Sequence, residues 1–207
     1  MKYFPLIWAN LTRHKRRTVL TTASVALALF LFASLRSVVT TIEAGANVGS
    51  EARMIVQSAK ALVFFLPASY KERLAAVPGV AGVSWANWFG GVYQEPKNFF
   101  ASFAMDAESY LDLYTSDFTI PAEQKATFLR ERTACIVGQH LLDKFGWKVG
   151  QNVTLKGTIF QGDWTFTIRG TYHTINQAFS EDAFFFHYAV IYERYPEWVN
   201  PGWYVLQ

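Results

Sequence analysis

Four histidines are the first residues to weigh for chemistry, because imidazole ligates metals and moves protons near neutral pH. They stand at His14, His140, His173 and His187, and no two have the spacing of a metal-ligand pair. His173 and His187 would form a metal site with Glu181 or Asp182 only if the fold brought them together. Otherwise they read as surface or hydrogen-bonded histidines. Carboxylates for acid–base work are Asp106 with Glu108 and, in a turn region, Asp112 with Asp117; acids so spaced are usually solvated. Gly82-Val83-Ser84-Trp85-Ala86 holds the serine of a nucleophile elbow, but ends in Ala and has no helix signal behind it. Neither GxGxxG nor a P-loop occurs, so ATP binding by such a loop is not expected. The single Cys135 excludes an intramolecular disulfide and a Cys-based zinc site; in TACIV it reads as a small core residue. The expectation is therefore no enzyme: no catalytic, cofactor-binding or metal-ligating residues, and no cofactor.

The elements that would position such residues form a mixed pattern after residue 43. Strands are predicted at 61–65, 80–88, 98–105, 134–137, 152–156, 164–172, 184–186 and 203–206. Helices are predicted at 68–77, 107–114, 121–132 and 139–145. Pro121 suits a first helical turn, and Gly146 stands where a left-handed cap is wanted. Strands separated by single helices point to an α+β domain. The Phe clusters at 64–65, 99–100 and 184–186 read as core, with a hydrophobic substrate groove as the sharper alternative.

Ahead of that domain, 18–35 reads TVLTTASVALALFLFASL, without a charge, Pro or Gly. As a helix it would extend roughly 27 Å, close to the hydrocarbon thickness of a bilayer. Arg36 follows and would snorkel to the headgroups while the helix continues. Three membrane readings compete: a retained anchor, a cleaved secretory signal and a twin-arginine signal at Arg16-Arg17. Ala44-Gly45-Ala46 lies well past the apolar run for a cleavage site. The stretch KYFPLIWANL at 2–11 reads as an interfacial helix, with Trp8 at headgroup level, and a signal peptide has no use for one.

The charge supports this division. Of 207 residues, 51% are hydrophobic, and Lys plus Arg outnumber Asp plus Glu by 19 to 16. Lys2, Arg13, Lys15, Arg16 and Arg17 meet no acid before residue 18, so 18–207 holds 14 basic and 16 acidic residues. Basic residues flanking a span stay cytoplasmic, so Arg13, Lys15, Arg16 and Arg17 set the N-terminus inside and the main domain outside. Beside an apolar run they do not read as a nucleic-acid patch, and no nucleic-acid partner is expected. The expected divisions are a cytoplasmic interfacial helix and basic flank (1–17), a transmembrane helix (18–42) and an α+β extracytoplasmic domain (43–207).

Two stretches resemble a known family. RHKRRTVLTTASVALALFLFASL at 13–35 resembles the first membrane helix of ABC transporter permeases of the FtsX-like and MacB-like type. His14 stands where that family commonly has Asn. CIVGQHLLDKFGWKVGQNVTLKG at 135–157 is similar to the family's extracytoplasmic core domain, on Gly138, Leu142, Phe145, Gly146, Val149, Gly150, Val153 and Leu155. The strand at 164–172, with Gly170, looks like the one that follows in the family. The resemblance implies a permease subunit in a bacterial cytoplasmic (inner) membrane, paired with a second permease copy or paralogue and a cytoplasmic ABC ATPase subunit. It also implies a partial chain whose outer domain transmits ATPase-driven motion or handles substrate for export or release. The alternative is a single-span membrane-anchored sensor or binding domain without transport activity.

Overall fold

The computed structural model describes residues 13–47, 53–60, 64–175, 179–196 and 200–207. The interfacial helix expected at 2–11 and most of the strand expected at 61–65 lie outside them. The chain divides into two compact units, Met1–Gly49 and Ser50–Gln207.

The first unit holds one helix, α1 (Lys15–Asn47). Its side chains through Arg36 are almost all exposed, including Leu27, Phe30, Phe32 and Leu35. Among the described residues it is the helix long and apolar enough to cross a membrane. Hydroxyls along it fold back on their own turns: Thr21 Oγ1 donates to the Arg17 carbonyl and Ser24 Oγ to the Leu20 carbonyl, each at 2.9 Å. That is how a polar side chain is satisfied in an apolar medium.

In the second unit ten strands and five helices are described. They are β1 (Met54–Gln57), α2 (Tyr70–Ala75), β2 (Val83–Trp88), β3 (Gly91–Val92), β4 (Ala101–Met105), α3 (Ala107–Leu113), β5 (Phe118–Thr119) and α4 (Ala122–Arg130). There follow β6 (Ala134–Gly138), α5 (Gln139–Phe145), β7 (Asn152–Gly157), β8 (Gly162–Thr174), β9 (Ala183–His187), α6 (Tyr188–Arg194) and β10 (Trp203–Leu206). The sheet order is β1-β10-β2-β4-β9-β6-β8-β7-β3, with β5 on β8. β4 with β9 and β6 with β8 run parallel, and the other pairs are antiparallel. The α+β class expected from the sequence is the fold observed.

At the centre of the sheet, β6 and β9 are apolar except for His187 because both faces are covered there. β9 shows the alternation. Phe184 and Phe186 enter one cluster with Phe89, Leu141, Trp164 and Ile191, while Phe185 enters the other with Tyr110, Phe128 and Tyr172. β6 divides the same way, Cys135 and Val137 to the first and Ala134 and Ile136 to the second. Thus α5 and α6 cover one face and α3 and α4 the other. Cys135 is wholly buried, as its strand context predicted, and burial pushes its thiol pKa up. The Phe clusters are core only in part: Phe64 and Phe99 are exposed, whereas Phe100 and 184–186 are buried.

Where the strand at 61–65 was expected, the described residues Phe64 and Phe65 carry no ladder. Leu66 N instead donates a single bond to the Pro201 carbonyl (2.7 Å), and Pro67, with no N–H, prevents a ladder from extending.

Candidate functional site

Arg53 stands immediately before β1. Its Nη2 lies 2.7 Å from Asp117 Oδ2, and both side chains are only 4% exposed. The same nitrogen donates to the Leu113 carbonyl (2.7 Å), and the guanidinium sits 4.1 Å from the centre of the Tyr114 ring. Asp117 is fixed in turn: Ser116 Oγ donates to its carboxylate (3.2 Å), and its backbone carbonyl accepts from Ile175 N (2.8 Å). Arg53 Nε and Nη1 are buried without a partner among the described residues. A buried pair of this kind adds little net stability over an apolar substitute, but losing one partner strands a charge. Arg53 thereby ties the start of β1 to the α3–β5 junction and to the end of β8. Asp117, expected to be solvated, is buried because its partner arrives from a strand far away in sequence. No local pattern around Arg53 signals this.

The edge of the sheet lies at the same place. β1 pairs antiparallel with β10, with Met54 opposite Leu206 and Gln57 opposite Trp203. The first and last strands of the unit are therefore neighbours. Met54 and Ile55 are 63% and 59% exposed, so β1 is an uncharged, open edge.

The glycine turn singled out in the sequence sits at the other side of β6. Gly138 ends β6 against the backbone of Glu181: a Cβ there would lie 2.0 Å from the Glu181 carbonyl oxygen. Gly146 has φ +63° and caps α5, while Gly150 has φ +93° and donates to the Ile168 carbonyl (2.7 Å). Phe145 stacks on Trp147 with centroids 4.8 Å apart, and Val149 is half exposed. These five residues shape a turn and present no chemistry of their own.

The histidines part company. His140 Nδ1 meets Asp182 Oδ1 at 2.6 Å, both exposed, and the exposed His173 meets the partly buried Glu181, Nδ1 to Oε1, at 3.5 Å. Asp182 also accepts from Ser180 Oγ (2.7 Å), and this bond, with the His140 contact, holds its carboxyl below the usual range. His140, Lys144, Ser180 and Asp182 border a cavity of about 430 Å³ floored by Phe99, Phe100 and Leu141. The order is Ser–Asp–His, with the carboxylate in the middle, so His140 faces the carboxylate and not the serine hydroxyl, and the three do not form a Ser–His–Asp triad. Among the described residues no group of three or more His, Cys, Asp or Glu is placed to hold a metal. Of the other acids weighed, Asp106 pairs with Lys71 (2.7 Å) and Asp112 with Lys125 (3.0 Å). Ser84 lies buried in β2, its hydroxyl bonded to Ser109 Oγ (2.9 Å).

His187 is partly buried at the end of β9, its ring stacked on Phe128. Its Nε2 donates to the Phe128 carbonyl (2.7 Å), yet burial pushes its pKa below the ordinary 6.5, helped by Arg132. The unfolded chain then binds this proton more readily than the folded one. Its contribution is fully present above about pH 6.5 and declines as the pH falls toward the folded value. His187→Gln is expected to flatten the fall of the urea midpoint below about pH 6.5. An unchanged slope would assign that fall to another group.

Arg13, His14, Lys15, Arg16 and Arg17 are all exposed at the start of α1.

These features define a class: a helix-tethered α+β unit built on one mixed sheet, whose first strand is pinned by a buried ion pair. Residues 18–206 match the profile of the MacB-like periplasmic core domain, and the chain belongs to that family. Solved structures have the same fold. The extracellular domain of the noncanonic ABC-type transporter YknZ from Gram-positive bacteria is 12% identical, with a TM-score of 0.50 over 75% of this chain and 81% of that one. The periplasmic region of MacB from Actinobacillus actinomycetemcomitans is 7% identical, with a TM-score of 0.52 over 76% of this chain and 74% of that one. At these identities the likeness establishes the fold alone. No curated protein matches the chain.

Proposed function

We propose that the chain is part of an ABC transporter permease subunit, anchored by α1, with its α+β domain outside the cytoplasm. The observation that carries the reading is a membrane-length helix with exposed apolar side chains leading into a domain of the MacB-like family. In this reading 1–17 is the cytoplasmic flank, 18–42 spans a bacterial inner membrane, and 43–207 is the outer domain. Arg13, Lys15, Arg16 and Arg17 hold the N-terminus inside. A cytoplasmic ABC ATPase subunit hydrolyses ATP, and a second permease copy or paralogue completes the assembly.

The chain's own residues supply the coupling. In this reading motion of α1 enters the outer domain along the chain at Arg53. The Arg53–Asp117 pair passes it to α3, β5 and β8 rather than letting β1 peel from the sheet. The neighbouring β1 and β10 give the domain an entrance and an exit on one edge, which suits a domain carried between two membrane helices. The turn at Gly138, Phe145, Gly146, Val149 and Gly150 serves as rigid framework for that domain.

Two measurements test this. A periplasm-dependent reporter fused after residue 60 is expected to be active; activity only of a cytoplasmic reporter would reverse the orientation. Capture of the full-length tagged protein in mild detergent is expected to retain a P-loop ATPase. A protein that retains none and leaves ATP turnover unaltered would favour the anchored sensor.

A further inference from the structure

The unit Met1–Gly49 carries Lys2, Arg13, Lys15, Arg16, Arg17 and Arg36 against a single carboxylate, Glu43. Along α1, Arg17 and Glu43 are separated by roughly 39 Å of helix rise. That is several times the Debye length of about 8 Å, so Glu43 does not neutralise the cluster. The cluster is also confined in depth. Five consecutive residues rise only about 6 Å, and the headgroup region is roughly 5–7 Å deep on each side of the hydrocarbon. Arg13, Lys15, Arg16 and Arg17 are all exposed at the start of α1, so four cations stand open within one short stretch of chain. Among the described residues, 13–17 border an open cleft of about 450 Å³. Guanidinium forks match phosphate oxygens bidentately, and a lysine adds a point charge.

We propose that Arg13, Lys15, Arg16 and Arg17 form a collar that binds the phosphate headgroups of several anionic phospholipids. This rests on the membrane-spanning reading of α1 and adds the lipid class to it.

The test uses the full chain in mild detergent, with phosphatidylglycerol or phosphatidylcholine added, and counts retained lipid by native mass spectrometry. Phosphatidylglycerol is expected to be retained about tenfold over phosphatidylcholine. Arg16→Gln with Arg17→Gln should remove most of that tenfold preference, since each basic residue near an anionic surface contributes up to about fivefold. Arg16→Lys with Arg17→Lys should keep most of it. Should the Gln variant fail to insert, raising salt on the unaltered chain should still weaken retention. Equal retention of the two lipids, no loss in the Gln variant or no salt effect would overturn the proposal. So would displacement by millimolar inorganic phosphate, which would mark a free-phosphate site. Alkaline carbonate extraction separates the two readings: a chain that leaves the membrane yet keeps its lipid preference refutes the span and leaves the collar standing.

Discussion

Arg53→Ala is expected to lower the stability of the α+β domain by about 3–5 kcal/mol, the usual cost of stranding one partner of a buried ion pair. Asp117, only 4% exposed in the intact chain, would keep Ser116 Oγ as its side-chain donor among the described residues. The Leu113 carbonyl would lose a donor as well, and the cation over Tyr114 would vanish. Urea unfolding of the full chain, followed by tryptophan fluorescence, would show the midpoint falling with little change in slope. Arg53→Met combined with Asp117→Leu should be less damaging than Arg53→Ala, because no charge is left behind. A loss below about 1 kcal/mol for Arg53→Ala, the range of an exposed pair, would mean that the pair is solvated in practice. The double variant also probes function. If the pair relays motion from α1, ATP-driven activity should fall in the double variant even where stability is largely kept.

Gly138→Ala is the second large effect, and its cause is different. Gly138 has an ordinary extended backbone (φ −63°, ψ 144°), so alanine meets no torsional objection there. The obstacle is space, because the new Cβ would meet the Glu181 carbonyl oxygen at 2.0 Å and its carbon at 2.4 Å. Backbone cannot rotate away as a side-chain tip can, and Leu141 N already donates to that same carbonyl (3.2 Å). Relief requires moving β6 away from the segment leading into β9, at a cost of about 3 kcal/mol, the upper range for overpacking. Gly146→Ala provides the contrast. Open space surrounds Gly146, so only its left-handed φ is strained, at about 1–2 kcal/mol. Thermal unfolding should rank Gly138→Ala as clearly the more damaging. Equal melting points for the two variants would show that the approach of Glu181 to β6 is soft.

Those two glycines also mark how much could be read without a fold. Gly146 was legible as a left-handed cap because the signal is local: a short amphipathic helix followed by the residue that tolerates positive φ. Gly138 was legible as a strand end and as part of a family turn, but its contact with Glu181 was not. The boundaries of α5 and β10 were expected where they are found, and β7 and β8 agree within a few residues, since each has a clear period or stop. β3 and β5 escaped, because two residues have no period. α6 escaped for another reason: it follows β9 with no breaker between them, and aromatic side chains fill both elements.

The candidate site was less legible than the fold. The basic cluster needs only neighbouring residues to be recognised, and its charge is written directly in the chain. The Arg53–Asp117 pair could not be found that way. Asp117 has the surroundings of a solvated turn acid, and Arg53 those of a lone cation before a short apolar strand. Their burial depends on β1 reaching β10 and on α3 ending where it does.

The sequence by itself determined the membrane-length helix, its basic flank, the α+β class and most of the longer elements. Each of these follows from hydrophobic period, charge or backbone preference over one local stretch. Tertiary structure alone decided the strand order, the meeting of first and last strands at one edge, and which carboxylates pair with which cations. Those are contacts between distant segments, and their free energy depends on burial and geometry that exist only once the sheet has closed around them.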